Sequence, residues 1–148
     1  MKSLSPAVVL DNYRGRVGQL HTQVEWGWDY TLEAMRTVVS HYQRSSSQDP
    51  AFVIFHVAAE PHDKSEIRSL LQNSAGLGVF WLFVGFTSGA GRGRVADDLA
   101  FYANLNASAS ATFTNVAFHD AGQNPGSVPD DQFYATLTQA FTTWLTSR

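Results

Sequence analysis

The chain has 148 residues, 44% of them hydrophobic and 16% charged, with a net charge of -3 and a pI near 5.9. That length suits one domain with a sizeable core, and the mild acidity gives no electrostatic case for nucleic acid or an anionic membrane. It has no cysteine, which excludes a disulfide scaffold and thiolate chemistry and fits a reducing cytoplasm. Met1-Lys2-Ser3-Leu4 is not followed by an apolar stretch of signal-peptide length, and the longest apolar run is far too short to span a bilayer. A soluble, cytoplasmic protein is expected.

In chain order, Ala7-Val8-Val9-Leu10 is a short apolar piece suited to an edge strand. Trp26-Gly27-Trp28-Asp29-Tyr30 offers either a binding platform or, more simply, core aromatics ahead of a helix. Tyr30, Ala34, Met35, Val38, Val39 and Tyr42 then share one helical face, with Asp29 as N-cap. A connection through Arg44 to Pro50 leads into Ala51 to Phe55. There Phe52-Val53-Ile54-Phe55 is apolar at every position, as is Val79-Phe80-Trp81-Leu82-Phe83-Val84 further on. A strand with one wet face alternates, so unbroken runs predict strands covered on both faces, as in a parallel sheet. Between them Lys64 to Ala75 carries Ile67, Leu70 and Leu71 at helical spacing, with an Asp63–Glu66 capping box and a stop at Gly76. This is a β-α-β unit with a right-handed crossover.

Beyond it, a helix is predicted from Val95 to Tyr102, with Val95, Leu99 and Tyr102 inward. A third strand is predicted over Thr112 to Phe118, with Phe113, Asn115 and Ala117 on one face. The last helix starts near Pro129 and carries Phe133, Leu137, Ala140, Phe141, Trp144 and Leu145 on one stripe. The order implies a three-layer α/β fold: a short, mostly parallel sheet flanked by helices.

Ligands of open α/β sheets bind beyond the carboxyl ends of the strands, which singles out three segments: His56 to Asp63, Thr87 to Arg94 and His119 to Gly126. In the first, His56, Glu60, His62 and Asp63 are the residue types that ligate metals, although no helix holds the two histidines on one face. The simpler account is a strand-end histidine and a helix-capping aspartate. In the second, glycines at 89, 91 and 93 stand between strand and helix, with Arg92 and Arg94 able to meet an anion. The Lys-Ser/Thr of a P-loop is missing, and a solvated loop explains the composition. Asp97 and Asp98 suit the dipole of the helix that follows. No G-x-S-x-G motif supports a serine hydrolase.

Together these segments resemble the von Willebrand factor A (vWA) domain of the tellurium-resistance TerF type. The resemblance rests on the order of Val8-Val9-Leu10-Asp11-Asn12-Tyr13-Arg14-Gly15, Gly27-Trp28-Asp29-Tyr30, Phe52 to Phe55, Val79 to Gly85, Asn115 to Phe118, Asp131 to Tyr134 and Phe141 to Leu145. It implies a Rossmann-like fold shortened at its start, beginning after the family's third strand. Metal-binding members use an Asp-x-Ser-x-Ser motif, a Thr, and an Asp after the fourth strand. Here that motif does not occur, Trp28 stands at the Thr position and Ala58 at the Asp position, so the resemblance implies no metal or other cofactor. In the family's strand order the shortening would bare the edge of the Ala51–Phe55 strand, a template for pairing unless Ala7–Leu10 covers it. The expected function is therefore a non-enzymatic interaction module in bacterial tellurium resistance or stress response. Its expected partner is a second copy paired through that edge, or another protein. The rival is a small metal-dependent hydrolase built on the His56–Asp63 loop. A further alternative is one half of a split domain.

Overall fold

A computed structural model of the chain describes residues 30–86, 99–105, 113–122 and 125–148. Three strands, β1 (Ala51–Val57), β2 (Val79–Gly85) and β3 (Val116–Asp120), form one sheet in the order β1-β2-β3. Both pairings are parallel, with Ala51 opposite Val79 and Trp81 opposite Val116. Among the described residues four α-helices accompany them: α1 (Thr31–Arg44), α2 (Lys64–Leu77), the single turn α3 (Ala100–Ala103) and α4 (Asp130–Thr146).

The centre of the sheet follows from the sequence of β2. Every residue of Val79–Gly85 is buried, and the pleat sends alternate side chains to opposite faces. Val79, Trp81 and Phe83 join a cluster with Met35 of α1, Ile67 and Leu71 of α2, and Phe101 and Tyr102 of α3. Phe80, Leu82 and Val84 join Leu137 and Trp144 of α4. Of the described helices three pack on one face and one on the other, a three-layer α/β arrangement.

β1 departs from the expectation of cover on both faces. Ala51, Val53, Phe55 and Val57 pack into the first cluster, but on the α4 side only Phe52 is covered, with its ring stacked 4.7 Å from Phe141. Ile54 is 43% exposed, and His56 is exposed as well. α4 packs over β2, so an apolar run in β1 does not by itself mean two covered faces.

Helix boundaries moved for identifiable reasons. α2 runs past Gly76 and ends on Gly78, whose φ of 88° is the left-handed value a C-cap requires and whose N–H donates to Ala75 O and Ser74 O. Asp63 occupies the N-cap position of α2 without a side-chain cap bond, so the expected capping box does not form. Glu66 instead accepts a 2.6 Å hydrogen bond from Ser65 Oγ. In α1 the buried stripe runs through Leu32 and Met35 with Val38, Val39 and Tyr42 beside it, while Tyr30 and Ala34 are exposed. Tyr30 is the N-cap of α1, and Asp29, the residue expected there, lies outside the described residues. In α4 the expected stripe holds through Trp144, but Leu145 is exposed.

β3 starts four residues later than the spacing predicts, because Phe113 to Asn115 form an approach rather than a strand. Asn115 is fully buried there. Its Nδ2 donates to Val79 O at 2.9 Å and Leu71 O at 3.2 Å, and its own carbonyl accepts from Trp81 N at 2.8 Å. Phe113 and Val116 pack together in the first cluster, whereas Ala117 faces the α4 side, so Phe113 and Ala117 do not share a face as expected. Leu99 and Tyr102 point inward, as predicted, and Val95 lies outside the described residues, as does Ala7–Leu10.

Candidate functional site

The carboxyl ends of the three parallel strands point the same way, and β1 and β3 deliver polar residues to one rim. β1 ends at His56 and Val57, β2 at Gly85 with Phe86 just beyond it, and β3 at His119 and Asp120. The described strands follow one another in sequence order, so no reversal of strand order, where a crevice opens in such sheets, falls among them.

The His56–Asp63 segment does not converge on a point. The His56 ring lies parallel to the Phe86 ring, 5.7 Å away and tilted by 4°. Glu60 is held at 2.9 Å by Lys64, the first residue of α2, with both side chains well exposed. His62 and Asp63 sit on the surface ahead of α2. Among the described residues no three His, Asp or Glu side chains are grouped so as to hold a metal ion. Ala58 is exposed just beyond β1 and offers only a methyl group at the position where the resemblance sets an aspartate. The donors of this loop do not suit Mg²⁺, which needs an octahedral set of oxygens. Arg92 and Arg94 lie outside the described residues.

A concave site does form at the end of β3. A cleft of about 290 Å³ is bounded by His119, Asp120, Gln132, Phe133 and Thr136. His119 meets the Phe133 ring edge-on at 6.0 Å, and Asp120 Oδ1 accepts the Gly122 N–H at 2.8 Å. Gly122 takes a φ of 68°, which its lack of a Cβ permits and which turns the chain away from β3. Thr136 Oγ1 donates to Gln132 O within α4. Asp120 thus shapes the turn after β3, and the Thr136 hydroxyl is tied back within α4. The sequence marked the His119 end but not Gln132 or Thr136, which reach the cleft only because α4 folds back beside β3.

A larger hollow of about 480 Å³ lies between α1 and α2, away from the strand ends, and includes Arg36, Glu66, Ser69 and Asn73. The Glu66 carboxyl is held below its ordinary value of 4.5, chiefly by the Ser65 hydroxyl and a backbone hydrogen bond, with Arg36 contributing attraction. This is a solvated arrangement of the helix surfaces.

The most distinctive surface is apolar. Ile54 and Phe86, 43% and 41% exposed, lie with His56 on the part of the α4-side face that α4 does not cover. β1 carries no charged residue, and no described strand pairs with its outer edge.

A parallel α/β sheet between helical layers defines a Rossmann-like class of domain. The model of the vWA-TerF-like family, described as the vWA found in the TerF C terminus, matches residues 3–148. The chain belongs to this family, as its resemblance implied. No curated protein and no solved structure matches it. No described helix is long and apolar enough to cross a membrane.

Proposed function

We propose that this vWA-type domain is a non-enzymatic protein-interaction module that has lost the adhesion-site metal and acts in the cytoplasm in tellurium resistance or stress response. The observation that carries the reading is the uncharged, apolar β1 with its outer edge unpaired by any described strand. Exposed Ile54, His56 and Phe86 stand beside that edge. An exposed strand edge supplies backbone donors and acceptors for β-strand addition, and the apolar side chains beside it supply contact area. The partner engages that edge as a second copy or as another protein. Family membership supports the tellurium link, and the absence of cysteine suits a reducing compartment.

The test is titration of the full chain with Zn²⁺ and Mn²⁺, paired with tellurite challenge of cells lacking it. No saturable metal uptake is expected. Complementation by the natural chain, and its loss with Ile54→Lys, is expected if the edge is the working surface. One-to-one metal binding that disappears in His62→Ala would instead favour the metal-dependent hydrolase reading.

A further inference from the structure

We propose that the occupant of the β1 edge is a second copy of this chain, paired antiparallel about Ile54. The inference rests on the interaction-module reading and specifies its partner. It starts from symmetry: a closed dimer with a two-fold axis normal to the sheet sets identical edges antiparallel, and β1 has seven residues with Ile54 at its centre. In that register Ile54 faces Ile54 of the partner subunit, and Phe52 faces His56 of the partner subunit. Val53 faces Phe55, and Ala51 faces Val57. Every cross-strand pair is apolar or aromatic, and none places charge against charge, so the strand is complementary to itself.

None of the devices that blunt a free edge falls within β1. It has no Lys, no Pro and no other charge, and its register with β2 runs unbroken through seven pairs without a bulge. The axis keeps both copies of α4 on the same side of a continuous six-stranded sheet. The Ile54, His56 and Phe86 side chains of both copies then meet between the two α4 helices, on the part of that face α4 does not cover.

The area decides the strength. Seven residues at about 3.4 Å each make a seam of about 24 Å, and across a sheet about 10 Å thick this covers roughly 240 Å² per copy. A standard stable interface covers about 800 Å² per partner. The exposed side chains add to the seam without closing that gap, so the dimer is reversible and dilutes to monomers.

The absence of cysteine allows a direct test on the full chain. Ile54→Cys places two thiols directly opposite each other, within the range of Cα separations a disulfide spans. Ala51→Cys places its two thiols about 20 Å apart, six residues along the seam at about 3.4 Å each. The expected result is concentration-dependent dimerisation in sedimentation, lost in Ile54→Lys with unchanged circular dichroism. Oxidative cross-linking should be at least tenfold faster for Ile54→Cys than for Ala51→Cys. A monomer throughout the accessible concentration range, or equal cross-linking of the two variants, overturns the pairing. If that monomer still loses tellurite protection with Ile54→Lys, self-pairing fails while the module reading stands. A monomer with one bound Zn²⁺ overturns both.

Discussion

Trp81 and Ser74 share a buried hydrogen bond, the indole Nε1 donating to Ser74 Oγ at 2.9 Å. The same hydroxyl donates back to Leu71 O at 2.9 Å, and Asn115 Nδ2 reaches it at 3.4 Å. One small polar group inside an apolar layer thus ties the middle strand to α2 and to the entry of β3. Ser74→Ala leaves the indole N–H without that acceptor in a site closed to water, at a cost of about 1–3 kcal/mol. Urea denaturation of Ser74→Ala and of the Ser74→Ala, Trp81→Phe pair checks this. The pair should lose less than the sum of its single changes, because Phe carries no donor to strand.

Gly85 ends β2 where three elements converge. A Cβ there would stand 2.5 Å from Leu99 Cδ1 and 3.2 Å from the Phe118 ring. Gly85→Ala should cost about 1–3 kcal/mol by overpacking. Adding Leu99→Ala should cost less than it does in the natural background, since the new methyl fills part of the space vacated. Thermal unfolding of the four variants in this cycle tests the coupling.

Glu66 should titrate below 4.5, and Ser65→Ala should move its midpoint upward, because the Ser65 hydroxyl is the main group favouring the carboxylate. A depressed folded-state value favours folding above the unfolded-state pKa, and this contribution is lost as pH falls through the folded-state pKa. Carboxyl-detected NMR across pH 3–6, spanning the ordinary carboxylate range, reads both midpoints.

The Glu60–Lys64 pair should matter little. It is an exposed pair between the loop ahead of α2 and the first residue of that helix, and Lys64→Ala should shift stability by no more than about 1 kcal/mol, less at high salt. A larger loss in denaturant titration would mean that Glu60 has a role beyond the surface.

Much of the fold was legible because β2 is so extreme. Val79 to Val84 is a run of large apolar residues with no polar interruption, which suits the covered middle strand it forms, and the helix before it has clear periodicity. What misled the reading was local ambiguity. The same apolar pattern in β1 marked a strand whose α4-side face is only partly covered, since cover depends on where α4 lies and not on β1. Two glycines stood near the end of α2, and only Gly78 has the left-handed backbone that ends it. Asn115 looked like an ordinary strand residue, but its side chain bonds to Val79 and Leu71, distant in sequence, which no local spacing reveals. The candidate site was less legible for the same reason. His56, Glu60, His62 and Asp63 are neighbours in sequence, yet Glu60 pairs with Lys64 and His56 stacks on Phe86, whereas the cleft beside His119 borrows Gln132 and Thr136 from the returning helix.

The division of the core has a mechanical consequence. Among the described strands, only β2 contributes fully buried side chains to both clusters. It is the common wall between two compartments, so a force or fluctuation that loosens α4 reaches α1 and α2 chiefly through alternate residues of one seven-residue strand. The amides of β2 should therefore exchange with solvent only when the whole domain opens. Those of β1 and α4 should report smaller, separate openings on either side of it.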